Sequence, residues 1–353
     1  MRKKPLFRAI LTALIAISSL SMSATPQPED SVSVNEKKES FSYIPEIHGV
    51  LRGRWDLETS SGYSRFMVRN ARVNVEGKVA PIVSYMVTVD FCDRGKVLPL
   101  DVYAAIGPVA NFQFLVGQYR MPFGVESFRG PASQYFNNRS FIGKHVNNYR
   151  AVGVSAGYTL KSVPLSIEAG AFNPTTIDDH TKWIKKYAYA GKITYKPGSW
   201  VAAAGFESLI PEAVRINLVS TTLGWGYDNF YVEGEYMARM YTHNTHKTTQ
   251  AYNFFANYDI PLRKGLFNCL SFQARFDGMT DLASGTDPVE DNGKLLTTQA
   301  GRKRLTVGGT LDYKYKKLRA AIRLNFEKYW YDHNVAATRG NDDLLSAELI
   351  IKF

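Results

Sequence analysis

From Ile44 onward the chain alternates apolar and polar residues with a period of two. Ile47, Gly49, Leu51, Gly53, Trp55 and Leu57 share one face of a segment whose other face carries His48, Val50, Arg52, Arg54 and Asp56. Val83, Tyr85, Val87, Val89 and Phe91 alternate with Ser84, Met86, Thr88 and Asp90. Late in the chain Leu318, Ala320, Ile322, Leu324 and Phe326 alternate with Arg319, Ala321, Arg323, Asn325 and Glu327. Successive side chains of a strand point to opposite faces, so each segment reads as a strand with one greasy and one charged face. No comparable helical pattern occurs. The pattern predicts sixteen strands, near 46–57, 65–79, 82–92, 99–106, 112–119, 151–160, 164–172, 187–196, 199–207, 213–225, 229–241, 250–260, 266–277, 303–314, 317–330 and 344–353.

The connections between these strands alternate long and short: 58–64 then 80–81, 93–98 then 107–111, 120–150 then 161–163, and onward to 331–343. Many strands are near the ~9–11 residues that cross a bilayer when tilted. Short turns on one rim and long loops on the other are the organisation of a transmembrane antiparallel β-barrel. A secreted soluble β-sandwich also alternates, but both its apolar faces point into one dry core. Here one face is rich in Tyr, Phe and Trp, as interfacial girdles are. The other carries Arg52, Arg54, Arg72, Arg239, Arg275, Arg304, Arg319 and Arg323. Unpaired arginines are costly in a dry core and at home in a water-filled lumen. The barrel is therefore expected. One strand breaks phase: Arg65 and Arg69 take the lipid-facing parity if Val73 and Val75 do, which calls for a bulge near Asn70.

Composition narrows the class further. The chain has 353 residues, 45% hydrophobic and 21% charged, enough apolar surface to exclude a disordered chain. No stretch reaches the ~18 consecutive apolar residues of a spanning helix. Arg2, Lys3, Lys4 and Arg8 precede an apolar run from Ala9 to Leu20 and the small residues Ser21, Ser23 and Ala24. This is the order of a secretory signal peptide, expected over 1–24. Its removal takes the net charge from +11 to about +7. Residues 25–45 read as a flexible periplasmic lead-in, and 46–353 as the barrel. Cys92 and Cys269 are taken as unpaired, because nothing in the sequence brings them within bridging distance.

The final strand places Leu345, Ala347, Leu349, Ile351 and the terminal Phe353 on one face. Such an ending resembles the signal read by the barrel-assembly machinery of bacterial outer membranes. Gly117-Gln118-Tyr119-Arg120-Met121-Pro122-Phe123-Gly124 resembles the G-Q-[FY]-[KR]-x-P-F-G signature of the phosphate-selective porin O/P family. Arg69-Asn70-Ala71-Arg72 with Gly77, Val89-Asp90-Phe91, Arg139, Gly153, Phe172-Asn173 and Glu235-Tyr236 follow in the family's order. The resemblance runs over roughly 46–353. It implies a sixteen-stranded, usually trimeric anion channel in the outer membrane of a Gram-negative bacterium. Two positions depart from the pattern: Asn70, where consecutive arginines are frequent, and Pro174, where Gly is. The first removes an expected wall cation and bears on phosphate selectivity.

In sixteen-stranded porins the third long loop folds inward to narrow the pore, and here that loop is 120–150. It carries Arg120, Arg129, Arg139, Lys144, His145 and Arg150 against a single carboxylate, Glu126. Rings of Arg and Lys in a constriction select anions. A solvated external loop with incidental charge is the competing reading. By parity, Arg52, Arg54, Arg72, Arg319 and Arg323 are expected on the lumen wall. Arg120, Arg129, Arg139 and Lys144 are the constriction candidates, and Arg150 is expected to line the pore.

Other chemistry finds little support. Gly153-Val154-Ser155-Ala156-Gly157 matches G-x-S-x-G, but lies in an alternating strand and not at the strand-to-helix turn an esterase requires. His243 and His246 lack a glutamate partner, and Asp281, Asp287, Glu290 and Asp291 lack calcium-loop spacing. The expectation is a passive channel with no enzymatic activity, cofactor, metal or nucleic-acid partner. It would contact outer-membrane lipid and lipopolysaccharide, pass small anions such as phosphate, and assemble as a homotrimer. A channel for other solutes, and a barrel with an enzymatic or adhesive role, are the alternatives.

Overall fold

The structure, a computed structural model, describes residues 42–93, 95–147, 149–174, 183–211, 214–333 and 342–353. The expected signal peptide and nearly all of the lead-in lie outside the described residues. From residue 46 the alternating segments form strands: β1 (Glu46–Glu58), β2 (Ser64–Ala80), β3 (Val83–Asp93), β4 (Lys96–Ile106), β5 (Phe112–Arg120), β6 (Arg150–Thr159), β7 (Leu165–Phe172) and β8 (Ala188–Tyr195). The series continues with β9 (Trp200–Leu209), β10 (Ile216–Tyr227), β11 (Phe230–Tyr241), β12 (Thr249–Pro261), β13 (Cys269–Met279), β14 (Arg302–Tyr315), β15 (Leu318–Tyr331) and β16 (Leu344–Lys352). Each strand pairs with its sequence neighbours, and β1 pairs antiparallel with β16 from Val50↔Lys352 to Glu58↔Leu344. The sheet is thus closed, which leaves no unpaired edge in the apolar part of a bilayer.

The two faces separate as the alternation predicts. On β15, Leu318, Ile322, Leu324 and Phe326 are exposed on the outside, and Arg323, Asn325 and Glu327 are buried inside. The bulge in β2 is present: Arg52 pairs with Asn70 and Gly53 with Val68, so Arg69 is the extra residue. That insertion turns Phe66 and Val68 outward before it and Asn70 and Arg72 inward after it.

One connection differs from expectation. The stretch 93–98 was expected to be a long loop, but Asp93 pairs with Lys96 and β4 begins there. The reason is a second bulge: Thr88 pairs with Asp101 and Val89 with Pro99, so Leu100 is extra and resets the phase that had hidden the strand's start. Elsewhere the long connections, 121–149 and 280–301 among them, fall on one rim, and short turns such as 81–82 and 316–317 on the other. Short turns mark the periplasmic rim.

Candidate functional site: the arginine-lined lumen

The connection from β5 to β6 leaves the wall at Gly124, whose φ of +67° suits glycine and turns the chain inward. Phe123, fully buried, lodges beside Gly205 of β9, and a Cβ on Gly205 would sit 3.0 Å from the Phe123 ring. The next two backbone N–H groups, of Val125 and Glu126, donate to the Glu235 carboxylate on β11 at 2.8 and 3.0 Å. Farther on, Phe141 N–H donates to Asp277 on β13 (2.9 Å), and Phe141, Ile142 and Val146 share an apolar cluster with Ile216, Leu218 and Met237.

Between these anchors the backbone makes two short 3-10 turns, Glu126–Phe128 and Pro131–Ser133, and forms no strand, so many of its carbonyls need donors. Arginines from the inner wall supply them. Arg323 donates to Gln134 O (2.7 Å), Arg52 to Asn137 O (2.9 Å), Arg275 to Asn138 O (2.9 Å) and Arg304 to Arg139 O (2.8 Å), while Arg319 donates to Ala132 O. These five cations share four wall carboxylates, Asp277, Asp312, Glu327 and Glu348. Arg304 grips Asp277 at 2.8 and 3.0 Å and reaches Glu327 at 3.1 Å, and Arg52 grips Glu348 at 2.9 and 3.0 Å. Buried charge is tolerable when paired and hydrogen-bonded, and the Arg52 and Arg304 forks supply such pairing, while Arg275 Nε, Arg323 Nη1 and Glu327 Oε1 make no hydrogen bond among the described residues.

On the opposite side, against β2 to β7, an open cavity of about 720 Å³ remains. Six cationic side chains line it, Arg72, Lys78, Arg120, Arg129, Arg139 and Arg150, against two carboxylates, Asp101 and Glu168. Arg150 pairs with Asp101 (2.9 Å), Arg72 with the buried Asp90 (3.2 Å), and Arg129 with the buried Glu233. Arg129 also lies over the rings of Tyr135 and Phe255. Burial opposes its charge, yet Glu233 outweighs burial and holds the guanidinium above its ordinary range. Arg139 donates to the carbonyls of Glu126, Ser127 and Arg129. Burial lowers it to about 10, with Glu126 opposing, so it stays charged at neutral pH.

Residues 56–203 match the family model described as phosphate-selective porin O and P. The chain is an outer-membrane porin. In fold the porin resembles a loop L8 deletion mutant of OmpT from Vibrio cholerae (12% identity, 88% of this chain and 98% of that one, TM-score 0.59). It also resembles an anion-selective porin from Comamonas acidovorans (11% identity, 88% and 98% covered, TM-score 0.58). A third similar structure is Salmonella typhi OmpF in complex with daunomycin (15% identity, 88% and 97% covered, TM-score 0.58). No curated protein matches the chain.

The porin divides the ten arginine and lysine positions singled out by sequence into three groups. Arg72, Arg120, Arg129, Arg139 and Arg150 meet around the open cavity. Arg52, Arg54 and Arg323, expected to face lumen water, are buried beneath the 121–149 segment, and Arg319 is largely covered there. Parity assigns them to the inner face, but it carries no information on what else enters the barrel. Lys144 lies on a single wide helical turn, Ile142–Val146, and is exposed to solvent. Partial desolvation by the surrounding barrel, ahead of the nearby Arg304 charge, lowers its ammonium to about 8 while its side chain still meets solvent.

The residues that carry the family resemblance converge on the same construction. Gly117 has φ +138°, and a Cβ there would lie 2.3 Å from Val102 O. Gln118 donates its amide to the carbonyls of Pro99 and Leu100 at the β4 bulge. Asp90 accepts from Asn70, Ala71 N–H and Arg72 and so holds the β2 bulge. Asn70 is buried between Arg52 and Asp90, so its departure from the family pattern removes no lumen-facing cation. Phe172 packs edge-on to Tyr119 at 5.5 Å, and a Cβ on Gly153 would meet the Phe172 ring at 2.6 Å. Ser155 lies within β6, where its hydroxyl accepts from Tyr119 (2.8 Å), so the G-x-S-x-G match forms no nucleophile turn. Cys92 and Cys269 are both free thiols.

Proposed function

We propose that this porin is a passive, anion-preferring channel whose path runs through the cavity beside the 121–149 segment. The observation that carries the reading is the lining of that cavity: six cations against two carboxylates, with the segment filling the β8–β16 side. Fixed cationic side chains in a narrow aqueous path raise the local concentration of anions and repel cations. The 121–149 segment acts as the constriction, and Arg129 and Arg139 are its contribution to the charged lining. Arg72, Arg120 and Arg150 belong to the wall across from it. Small anions, phosphate among them, diffuse through without a cofactor or any chemical step. Planar-bilayer recording in a salt gradient tests this: a zero-current potential of the sign for anions is expected, and cation preference overturns it.

Preference for phosphate over other anions is the finer reading. Forked guanidinium groups suit phosphate oxygens, and Arg120, Arg139 and Arg150 border one cavity, with the Arg150 fork held by Asp101 and Arg139 bound to three carbonyls. Asp90, Asp101 and Glu233 neutralise part of the field, an arrangement that also suits general anion diffusion. Inhibition of chloride current by millimolar phosphate supports selectivity, and additive currents support the general channel. A homotrimer is further inferred, in line with the trimer form recorded for Vibrio cholerae OmpT. The exposed outer residues Trp200, Phe254, Phe276 and Leu305 suit lipid contact. Lipopolysaccharide at the outer rim and recognition of the Phe353 end by the barrel-assembly machinery complete the proposal.

A further inference from the structure

At the short-turn mouth of the lumen, the first inward-facing residues of β1 and Glu76, near the end of β2, bring unlike chemistry together. Glu46 and Glu76 are direct cross-strand partners, so two carboxylates stand opposite each other on one face. Like charges in that relation destabilise a sheet unless a cation lies between them. His48 supplies part of the answer, its Nε2 lying 3.2 Å from Glu76 Oε1 and 3.6 Å from Glu46 Oε2. The three ligand atoms all lie within 4.8 Å of one another. Lys317, from the turn between β14 and β15, reaches Glu46 at 3.7 Å, but its side chain is 86% exposed and such a pair contributes little.

We propose that Glu46, His48 and Glu76 form a binding site for a zinc-class transition-metal dication at the periplasmic mouth of the pore. Zinc takes imidazole nitrogen and carboxylate oxygen with bonds of about 2.0–2.2 Å, and tetrahedral bonds of that length set the donors roughly 3.3–3.5 Å apart. The separations from His48 to the two carboxylates already bracket that edge. One nitrogen and two carboxylate oxygens leave the fourth position to water, as three-ligand sites do. Two strands hold the donors, with β1 and β2 in register from Glu46↔Glu76 to Arg52↔Asn70, so little ordering is needed on binding. Asn74, the cross-strand partner of His48, lines the arginine cavity, which places the site at that cavity's entrance. A bound dication there adds positive charge beside the Glu46–Glu76 pair at the mouth of the anion path. Occupancy thus tunes the entrance field of the channel.

Isothermal titration of the purified, tag-free porin in detergent with zinc chloride tests the site. One saturable zinc per chain with micromolar affinity is expected. His48→Ala and Glu76→Gln should each weaken it about 10-fold or more, and His246→Ala, in an outer loop, should leave it unchanged. Heat-modifiable migration confirms that each variant is folded, and Glu76→Gln serves if His48→Ala is not. Absence of saturable binding, or wild-type affinity in either mouth variant, overturns the proposal. Loss of binding in His246→Ala alone overturns it equally, by moving the zinc to the outer loops. The titration is independent of ion selectivity, so a cation-preferring channel would not affect its outcome.

Discussion

The Glu235 carboxylate on β11 accepts the backbone N–H of Val125 at 2.8 Å, at the point where the chain leaves the wall and enters the barrel. Glu126 N–H donates to the same carboxylate, so one buried side chain fixes the direction in which the 121–149 segment sets out. Hydrogen bonds to a charged acceptor contribute about 1.5–3 kcal/mol each. Glu235→Ala is therefore expected to loosen the segment at its root without opening the barrel wall. Single-channel recording should show larger and noisier conductance, with heat-modifiable migration unchanged. Wild-type conductance in this variant contradicts the role of the segment as the constriction.

Selectivity should follow the charge at the cavity and ignore the charge beneath the segment. Arg120 lines the cavity, so Arg120→Ala and Arg120→Glu should move the zero-current potential toward cations in that order. Arg319 points at Asp312 and Ala132 O, away from the cavity, and Arg319→Ala should leave the potential unchanged. An equal shift in both series would place the conduction path elsewhere.

Lys144, on the 121–149 segment outside the cavity lining, is expected to add a weaker, longer-range and pH-dependent contribution to anion preference. Its ammonium is lowered to about 8 by enclosure and by Arg304, with Glu327 opposing, so it is mostly charged at pH 7 and mostly neutral at pH 9. Anion preference should fall over that interval, most clearly at low ionic strength where exposed charges are least screened. Lys144→Arg, whose guanidinium stays protonated throughout, should flatten the profile. A Lys144→Met channel should resemble the wild type at pH 9 across the whole range.

Gly117 tests the construction of the wall. Its φ of +138° is open to few side chains, and a Cβ would lie 2.3 Å from Val102 O and 2.7 Å from Tyr103 Cα, both backbone atoms that cannot swing aside. Gly117→Ala should lower the yield of heat-modifiable barrel on refolding. Gly130→Ala, where nothing lies within 4 Å of the added carbon, should fold as the wild type does.

Much of this porin was legible from alternation alone. A two-residue period records which side of a sheet each residue faces, and Leu324 outside with Arg323 inside needed no tertiary information. The bulge at Arg69 was legible too, because an inserted residue leaves a phase error in the pattern. The bulge at Leu100 was not, since Pro99-Leu100-Asp101 shows no clear phase on either side, and the start of β4 was displaced with it.

The positions of the charged residues along the chain also follow from sequence, but their surroundings do not. Arg72 and Arg323 occupy equivalent inward positions on their strands. One borders an open cavity of about 720 Å³, and the other is 1% exposed beneath Gln134. What separates them is the path of residues 121–149 across the interior, set by Glu235, Asp277 and the arginines that bind its carbonyls. These contacts join residues up to 209 positions apart, as Asn137 to Ser346 shows. A local period sees only neighbours, so it determines the faces of the wall. Only the closed barrel decides which part of the inner face stays in water.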